Sequence, residues 1–272
     1  MDLRKRLARL DQLNRRPRPD REPAPTDDVA AVREQLGLAG DEVWQREDER
    51  PEVPCPPGPV PSLGGYLPAG TPADLRWQDI LFLDTETTGL AGGTGTLIFL
   101  VGLAWWDADG CFRVRQLFLP GPGREAPLLR AVEQLASDHR VVATYNGAAF
   151  DLPLLRTRAR MNRREDPVRG LVGWDLLVAA RRCWGRRLPD CRQQTVEVSI
   201  CGRVRGDGDI DGALIPAAYQ DFLHGASLGA LPRVLRHNRR DMDGMALVLS
   251  AVADEARGLE SLTLPSGCWQ DT

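Results

Sequence analysis

Hydrophobic and polar positions repeat along this chain with two different periods. Residues 80–83, "ILFL", are a continuous apolar run that stops at Asp84, the pattern of a strand buried on both faces. "TLIFLVGLAWW" (96–106) and "CFRVRQLFLP" (111–120) predict two further strands, and "DADG" between them has the chemistry of a tight turn. "APLLRAVEQLA" (126–136) places its apolar residues at helical spacing. "RVVATYNG" (140–147) predicts a fourth strand and "FDLPLLRTRARMN" (150–162) a helix behind it. "GLVGWDLLVAARRCW" (170–184) predicts a short strand ending near Trp174 and then a helix, with Asp175 as its N-cap. Residues 188–229 read as helices and loops, and "LPRVLRHNRRDMDGMALVLSAVADEA" (231–256) as one long helix or a bent pair.

The order is α/β: a mixed five-stranded sheet, three antiparallel strands followed by two parallel ones, flanked by helices. Upstream the pattern is lost. Residues 1–76 are rich in Arg, Pro, Asp and Glu, and "RPRPDREPAPTDD" and "RPEVPCPPGPVPSLGGYLPAG" sustain neither a helix nor a central strand. This stretch reads as a partly disordered N-terminal arm, with short amphipathic helices within 3–13 and around 29–36. The domain that follows spans 77–257, and residues 258–272 form a tail.

Composition narrows the class. At 42 % hydrophobic the chain can build a core, and no apolar run is long enough to span a membrane. The arginine-rich start lacks the apolar stretch of a secretory signal. Six cysteines without a CxxC pair, with three histidines, argue against a zinc ribbon and for reduced thiols in a cytoplasm. A net charge of -3 does not by itself announce a nucleic-acid binder. The basic residues are nearly all arginine, however, which suits forked phosphate contacts. They cluster at 4–21, 156–164, 181–187 and 233–240; taken alone, each cluster is equally a solvated helix face.

Chemistry gathers at "DTETTG". Residues i and i+2 of a strand share a face, so Asp84 and Glu86 project side by side. Two adjacent carboxylates repel, and a divalent cation resolves the conflict; hard oxygen ligands suit Mg²⁺ or Mn²⁺. The plain alternative is a turn cap and a solvated glutamate. Asp151 opens a helix after the fourth strand, where it would also serve as an N-cap. His237 and Asp241 lie four apart on the last helix and share a face, either in a site or as a surface pair. The glycine loop "GLAGGTG" does not fit a phosphate-binding GxxxxGK[ST], and a strand follows it where that motif needs a helix. A dehalogenase-type phosphatase would need aspartate where Glu86 stands.

Together, Asp84, Glu86, Asp151 and Asp241 resemble the acidic set of the DEDD 3′–5′ exonuclease superfamily, which has an RNase H-like fold. "DTETTG" matches its first motif, and "NGAAFD" resembles its second. The third departs from both common forms, with His237 at the spacing where one branch carries tyrosine. With "GLAGGTGT", "DLPLLRTR" and "GALIPAAYQDFL", the chain resembles the bacterial YprB-type RNase H-like proteins over about residues 77–256.

The resemblance implies two divalent ions, Mg²⁺ or Mn²⁺, that activate a water and steady the leaving oxygen. It makes Asp84 a ligand to both, gives Glu86 and Asp241 to the first ion and Asp151 to the second, and has His237 orient the water and take its proton. It further implies substrate contacts from Thr87, Thr88 and Leu90, and a strand groove lined by Asn146 and Phe150. For Phe150, core packing is the alternative. The expected activity is 3′–5′ exonucleolytic cleavage of DNA, in repair, with a DNA helicase as possible partner and no membrane. An RNA exonuclease and a non-catalytic nucleic-acid- or helicase-binding module remain open.

Overall fold

The computed structural model describes residues 43–61, 66–89, 94–123, 125–205, 209–224 and 230–262, with side chains followed to residue 258. The helices expected within 3–13 and around 29–36, and Leu90, lie outside the described residues.

Six strands form a single sheet: β1 (Trp44–Glu49), β2 (Ile80–Thr87), β3 (Ile98–Trp106), β4 (Phe112–Phe118), β5 (Val141–Thr144) and β6 (Val172–Asp175). Their order across the sheet is β1-β4-β3-β2-β5-β6. The β1–β4, β4–β3 and β3–β2 pairs are antiparallel, whereas β2–β5 and β5–β6 are parallel. This is the expected mixed sheet with one correction. A sixth strand, Trp44–Glu49, adds to the edge from within the segment read as an arm. Its sequence, "WQREDE", has no strand-like apolar alternation. What fixes it is pairing with β4 together with ion pairs: Arg115 with Glu47, Arg113 with Glu49, and Arg239 with Asp48.

The helices are α1 (Glu125–Ala136), α2 (Asp151–Met161), α3 (Leu176–Trp184), α4 (Gln193–Ser199), α5 (Ile215–Leu223) and α6 (Leu231–Leu262). The last is one continuous helix. Strand alternation sorts the core into two layers. Leu81 and Leu83 pack with α1, α2 and α5 on one face. Ile80 and Phe82 pack with α3, α4 and most of α6 on the other, where Phe82 meets Trp106 and Phe112 edge-on at 5.4 and 5.7 Å. Asp84 and Glu86 continue the even-numbered face and therefore turn toward α6.

Two local devices hold loops at opposite ends of the sheet, the β3–β4 turn beside the amino end of β2 and the glycine loop at its carboxyl end. The β3–β4 turn is built by Asp107, whose carboxylate accepts the amides of Asp109 and Cys111, and by Gly110 at a φ of +79°. Arg158 on α2 forms a buried pair with Glu125 on α1 and donates to the carbonyl of Thr94, anchoring the end of the glycine loop at 2.8 Å.

Candidate active site

The site lies where β2 ends beneath α6. Asp84 stands between elements for a specific reason. Opposite it on β3 is Gly102, where an added Cβ would fall 2.5 Å from the side chain of Asn238. Glycine there lets the fully buried Asn238 of α6 lie flat on the sheet. Its Nδ2 donates to Asp84 Oδ2 at 2.9 Å, and its Oδ1 accepts from Gln116 of β4 at 3.0 Å. A side chain two strands away thus orients the first carboxylate.

Asp151, the first residue of α2, turns its carboxylate to β2. Its Oδ1 accepts from Thr85 N at 3.1 Å and from Thr85 Oγ1 at 2.5 Å. Glu86, His237 and Asp241 bring ligand atoms within 4.8 Å of one another. All four acids that sequence spacing singled out are therefore in one electrostatic neighbourhood. Each of the four side chains is half-buried. Burial pushes Asp84 well above the ordinary carboxylate range, and the charges of Glu86, Asp151 and Asp241 push it further; the Asn238 amide pulls the other way. Glu86 is likewise pushed well up, by burial and then by Asp241 and Asp151. Burial raises Asp151, with the Thr85 hydrogen bonds opposing. Burial raises Asp241 too, against the pull of Arg205 and His237. Such a cluster is costly when fully ionised, and cations among the carboxylates remove the cost.

His237 is held from both sides. Its Nδ1 is 2.9 Å from Asp209 Oδ1 and its Nε2 is 3.2 Å from Asp241 Oδ2. With the Nδ1 proton given to Asp209, Nε2 of a neutral ring is a lone pair facing a carboxylate oxygen. Two acceptors at that distance require a proton or a cation between them. The side chains of His237 and Asp241 are only 12 % and 15 % exposed, which excludes the surface-pair alternative. Burial would raise Asp209, but the His237 hydrogen bond and Arg205 more than offset it and hold that carboxyl below its usual range.

The other oxygen of Asp241 is taken by Arg205, at 2.5 Å. Arg205 also clasps Glu197 of α4 through Nε and Nη2, at 2.9 and 2.6 Å. Glu197 is fully buried because Gly244 on α6 has no side chain: a Cβ there would stand 1.9 Å from Glu197 Oε1. Gln193 donates to both Glu197 and the Asp241 carbonyl. The backbone of Asp241 is thus fixed through α4, and its carboxylate through Arg205.

The remaining expected residues fall as follows. Thr87 donates its hydroxyl to the carbonyl of Gly89, and Thr88 accepts the amide of Leu97, so both brace the loop leaving β2. Leu90 lies outside the described residues. Asn146 adopts a φ of +65°, tolerated by asparagine, and its amide is held by Asp175. Asp175 also caps α3 through Leu177 N, as expected, and accepts from Ala148 N. That brace turns the 146–150 loop outward and leaves Phe150 59 % exposed, so core packing does not account for it. Sequence reasoning passed over Thr85, Glu197, Arg205, Asp209 and Asn238. Only Asn238, beside His237, and Thr85, inside "DTETTG", carried a local signal; the others meet the site through folding.

The donor set, carboxylate oxygens with one imidazole, fits hard divalent cations. Residues 81–253 match the family model of the RNase_H superfamily. YprB of Bacillus subtilis (strain 168), a protein described as uncharacterized, is 38 % identical over 172 residues, which cover 63 % of this chain and 40 % of YprB. The chain thus spans less than half the length of that relative. Among solved structures, the family B DNA polymerase from Pyrobaculum calidifontis aligns with a TM-score of 0.41 and 16 % identity, over 84 % of this chain and 34 % of the polymerase. Among the described residues, no helix is long and apolar enough to cross a membrane.

Proposed function

The chain belongs to the RNase_H superfamily, whose members are usually nucleases using divalent metals, and from that premise we propose that it is a metal-dependent 3′–5′ exonuclease acting on DNA. The observation that carries this reading is the convergence of Asp84, Glu86, Asp151 and Asp241, each raised by burial and crowding, beside an imidazole held from both sides.

Asp84, Glu86, Asp151 and Asp241 would hold two ions, Mg²⁺ or Mn²⁺. When bound, these supply charge for the scissile phosphate and lower the pKa of the attacking water. The chain's own residues do the rest. Asn238 and Thr85 lock the rotamers of Asp84 and Asp151, so the acids need no reordering when phosphate arrives. Arg205 fixes Asp241 while leaving Oδ2 on the His237 side. Asp209 on Nδ1 sets the tautomer that leaves Nε2 to accept a proton from water. Thr87 and Thr88 shape the loop on which the terminal nucleotide would rest, and Asn146 and Phe150 border the groove, where an exposed aromatic face can stack on a base. A role in DNA repair, beside a helicase, belongs to the same proposal.

The test is a Mg²⁺ and Mn²⁺ titration with 3′- and 5′-labelled single-stranded, duplex and nicked DNA, run beside matched RNA. Immediate loss of a 3′ label with a ladder from the 5′ label is the expected result. Internal cuts, loss from the 5′ end, faster cleavage of RNA, or no cleavage with any divalent ion would each reject the corresponding part of the proposal.

A further inference from the structure

The acid cluster is not chemically uniform. Asp84 is oriented by the Asn238 amide, and Asp151 by the amide and hydroxyl of Thr85; both offer an ion oxygen alone. Glu86 and Asp241 share their space with an imidazole. One ligand atom each of Glu86, His237 and Asp241, two oxygens and a nitrogen, lie within 4.8 Å of one another.

The spacing marks Nε2 of His237 as a ligand atom. It stands 3.2 Å from Asp241 Oδ2. Two donors bonded to one ion at ~2.1 Å are about 3.0 Å apart at a right angle and about 3.4 Å apart at the tetrahedral angle. The pair therefore already has the separation of neighbouring ligands. His237 and Asp241 lie four apart on α6, and the helix keeps them on one face.

The far side of the ring agrees. Nδ1 is 2.9 Å from Asp209 Oδ1, the carboxylate–histidine arrangement that gives a ligating imidazole its tautomer and its basicity. Asp209 is paired in turn with Arg205 and Arg240, each at 3.6 Å. The acids leave matching atoms. Arg205 occupies Asp241 Oδ1, so the remaining oxygen is Oδ2, the one facing Nε2. Glu86 has no hydrogen-bond or ion-pair partner among the described residues.

We propose that His237 is itself a metal ligand, and that the Glu86, His237 and Asp241 side of the cluster takes a first-row transition ion such as Mn²⁺ in preference to Mg²⁺. An imidazole nitrogen is a softer donor that transition ions accept, whereas Mg²⁺ favours oxygen and keeps its waters. The Asp84 and Asp151 side, with oxygen alone, keeps its hard-ion character, so the two positions differ in metal preference. The proposal rests on the nuclease reading for the presence of ions among the acids, and it refines the part of His237. Nε2 holds the ion in the substrate-free site, and takes a water proton only where a substrate oxygen has replaced it on that ion.

The experiment is electron spin-echo modulation of sub-stoichiometric Mn²⁺ on the full chain without substrate, beside Mn²⁺ and Mg²⁺ affinities from calorimetry. A directly bound imidazole nitrogen modulates the Mn²⁺ echo strongly, and carboxylates and water do not. The other two histidines, His139 and His224, follow α1 and α5 and join no such cluster among the described residues, so the signal reports His237. Nitrogen coupling is expected in wild type and its loss in His237→Gln, with Mn²⁺ affinity falling more than Mg²⁺ affinity. Wild type that binds no Mn²⁺ or shows no nitrogen coupling overturns the assignment, and needs no variant to fold. Coupling that survives in His237→Gln, or an equal loss of both ions, also overturns it. Nitrogen coupling in a chain that hydrolyses neither DNA nor RNA removes the nuclease reading and leaves the ligand. Mn²⁺-dependent release of a 3′ label without the coupling does the reverse.

Discussion

Two groups of buried acids in this molecule are built on opposite principles. Glu125, Glu197 and Asp243 are nearly inaccessible, and each is clasped by arginine: Glu125 by Arg158, Glu197 by Arg205 and Arg203, Asp243 by Arg50 and Arg203. Asp84, Glu86 and Asp151 are more open, yet no arginine or lysine pairs with them among the described residues. Asp84 is given the Asn238 amide and Asp151 the amide and hydroxyl of Thr85 instead, which orient a carboxylate without cancelling its charge. Asp241 joins the two, one oxygen on Arg205 and the other facing His237. The lesson is that a structural acid arrives with its counter-charge, whereas the acids that the proposed function assigns to cations are left unneutralised.

That contrast breaks most sharply at Asp84. Replacing it with Asn keeps the shape and the Asn238 contact but removes the charge, and metal-dependent nuclease activity should fall to background. A variant as active as wild type in a 3′-label release assay would reject the assignment. On the structural side, Glu197→Ala takes one buried carboxylate from Arg205 and Arg203, leaving Arg205 on Asp241 and Arg203 on Asp243, and should cost about 1–3 kcal/mol, read from urea unfolding. A loss under ~1 kcal/mol would show that the arginines find other partners, and that the distinction between the two groups is weaker than drawn. Between them, Asn238→Ala or Gly102→Ala should lower metal affinity or activity by about 10- to 100-fold while leaving all four acids present. Unaltered activity in both would mean that Asp84 needs no positioning.

The smallest effect has the opposite sign. Because its carboxyl is raised in the fold by burial and by the neighbouring acids, ionised Asp84 opposes folding, so Asp84→Asn should stabilise the metal-free protein at pH 7. A group raised in the folded state contributes stability below its unfolded pKa, near ~4, and that contribution is lost as pH rises through the folded value. The stabilisation by Asp84→Asn should therefore vanish toward pH 4 and grow toward neutrality. Added Mg²⁺ should raise the melting temperature of wild type more at pH 8 than at pH 5, and raise that of Asp84→Asn less at either. Melting curves in EDTA and in Mg²⁺ across that range check both signs; a destabilised Asp84→Asn at neutral pH would contradict the picture of an unneutralised cluster.

Much of this was legible in the residues because it depends on short periods. Strand alternation put Asp84 and Glu86 on one face, helical spacing put His237 and Asp241 together, and the apolar runs located five strands. Trp44–Glu49 was not legible: "WQREDE" is an edge strand made by pairing and by ion pairs to Arg113, Arg115 and Arg239, none of which has a local signature. Asp209 and Arg205 were invisible for the same reason, since each lies in irregular chain and acquires its role only where α6 and α4 pass.

By itself, then, the sequence determined which side chains share a face within each element, because a strand repeats every two residues and a helix every 3.6. The tertiary structure decided which faces meet. Gly102 and Gly244 show how: at each, a missing Cβ admits a side chain from another element, Asn238 over β3 and Glu197 against α6. Contacts between distant segments are set by close packing and by pairing of buried charge, and neither leaves a period in the chain.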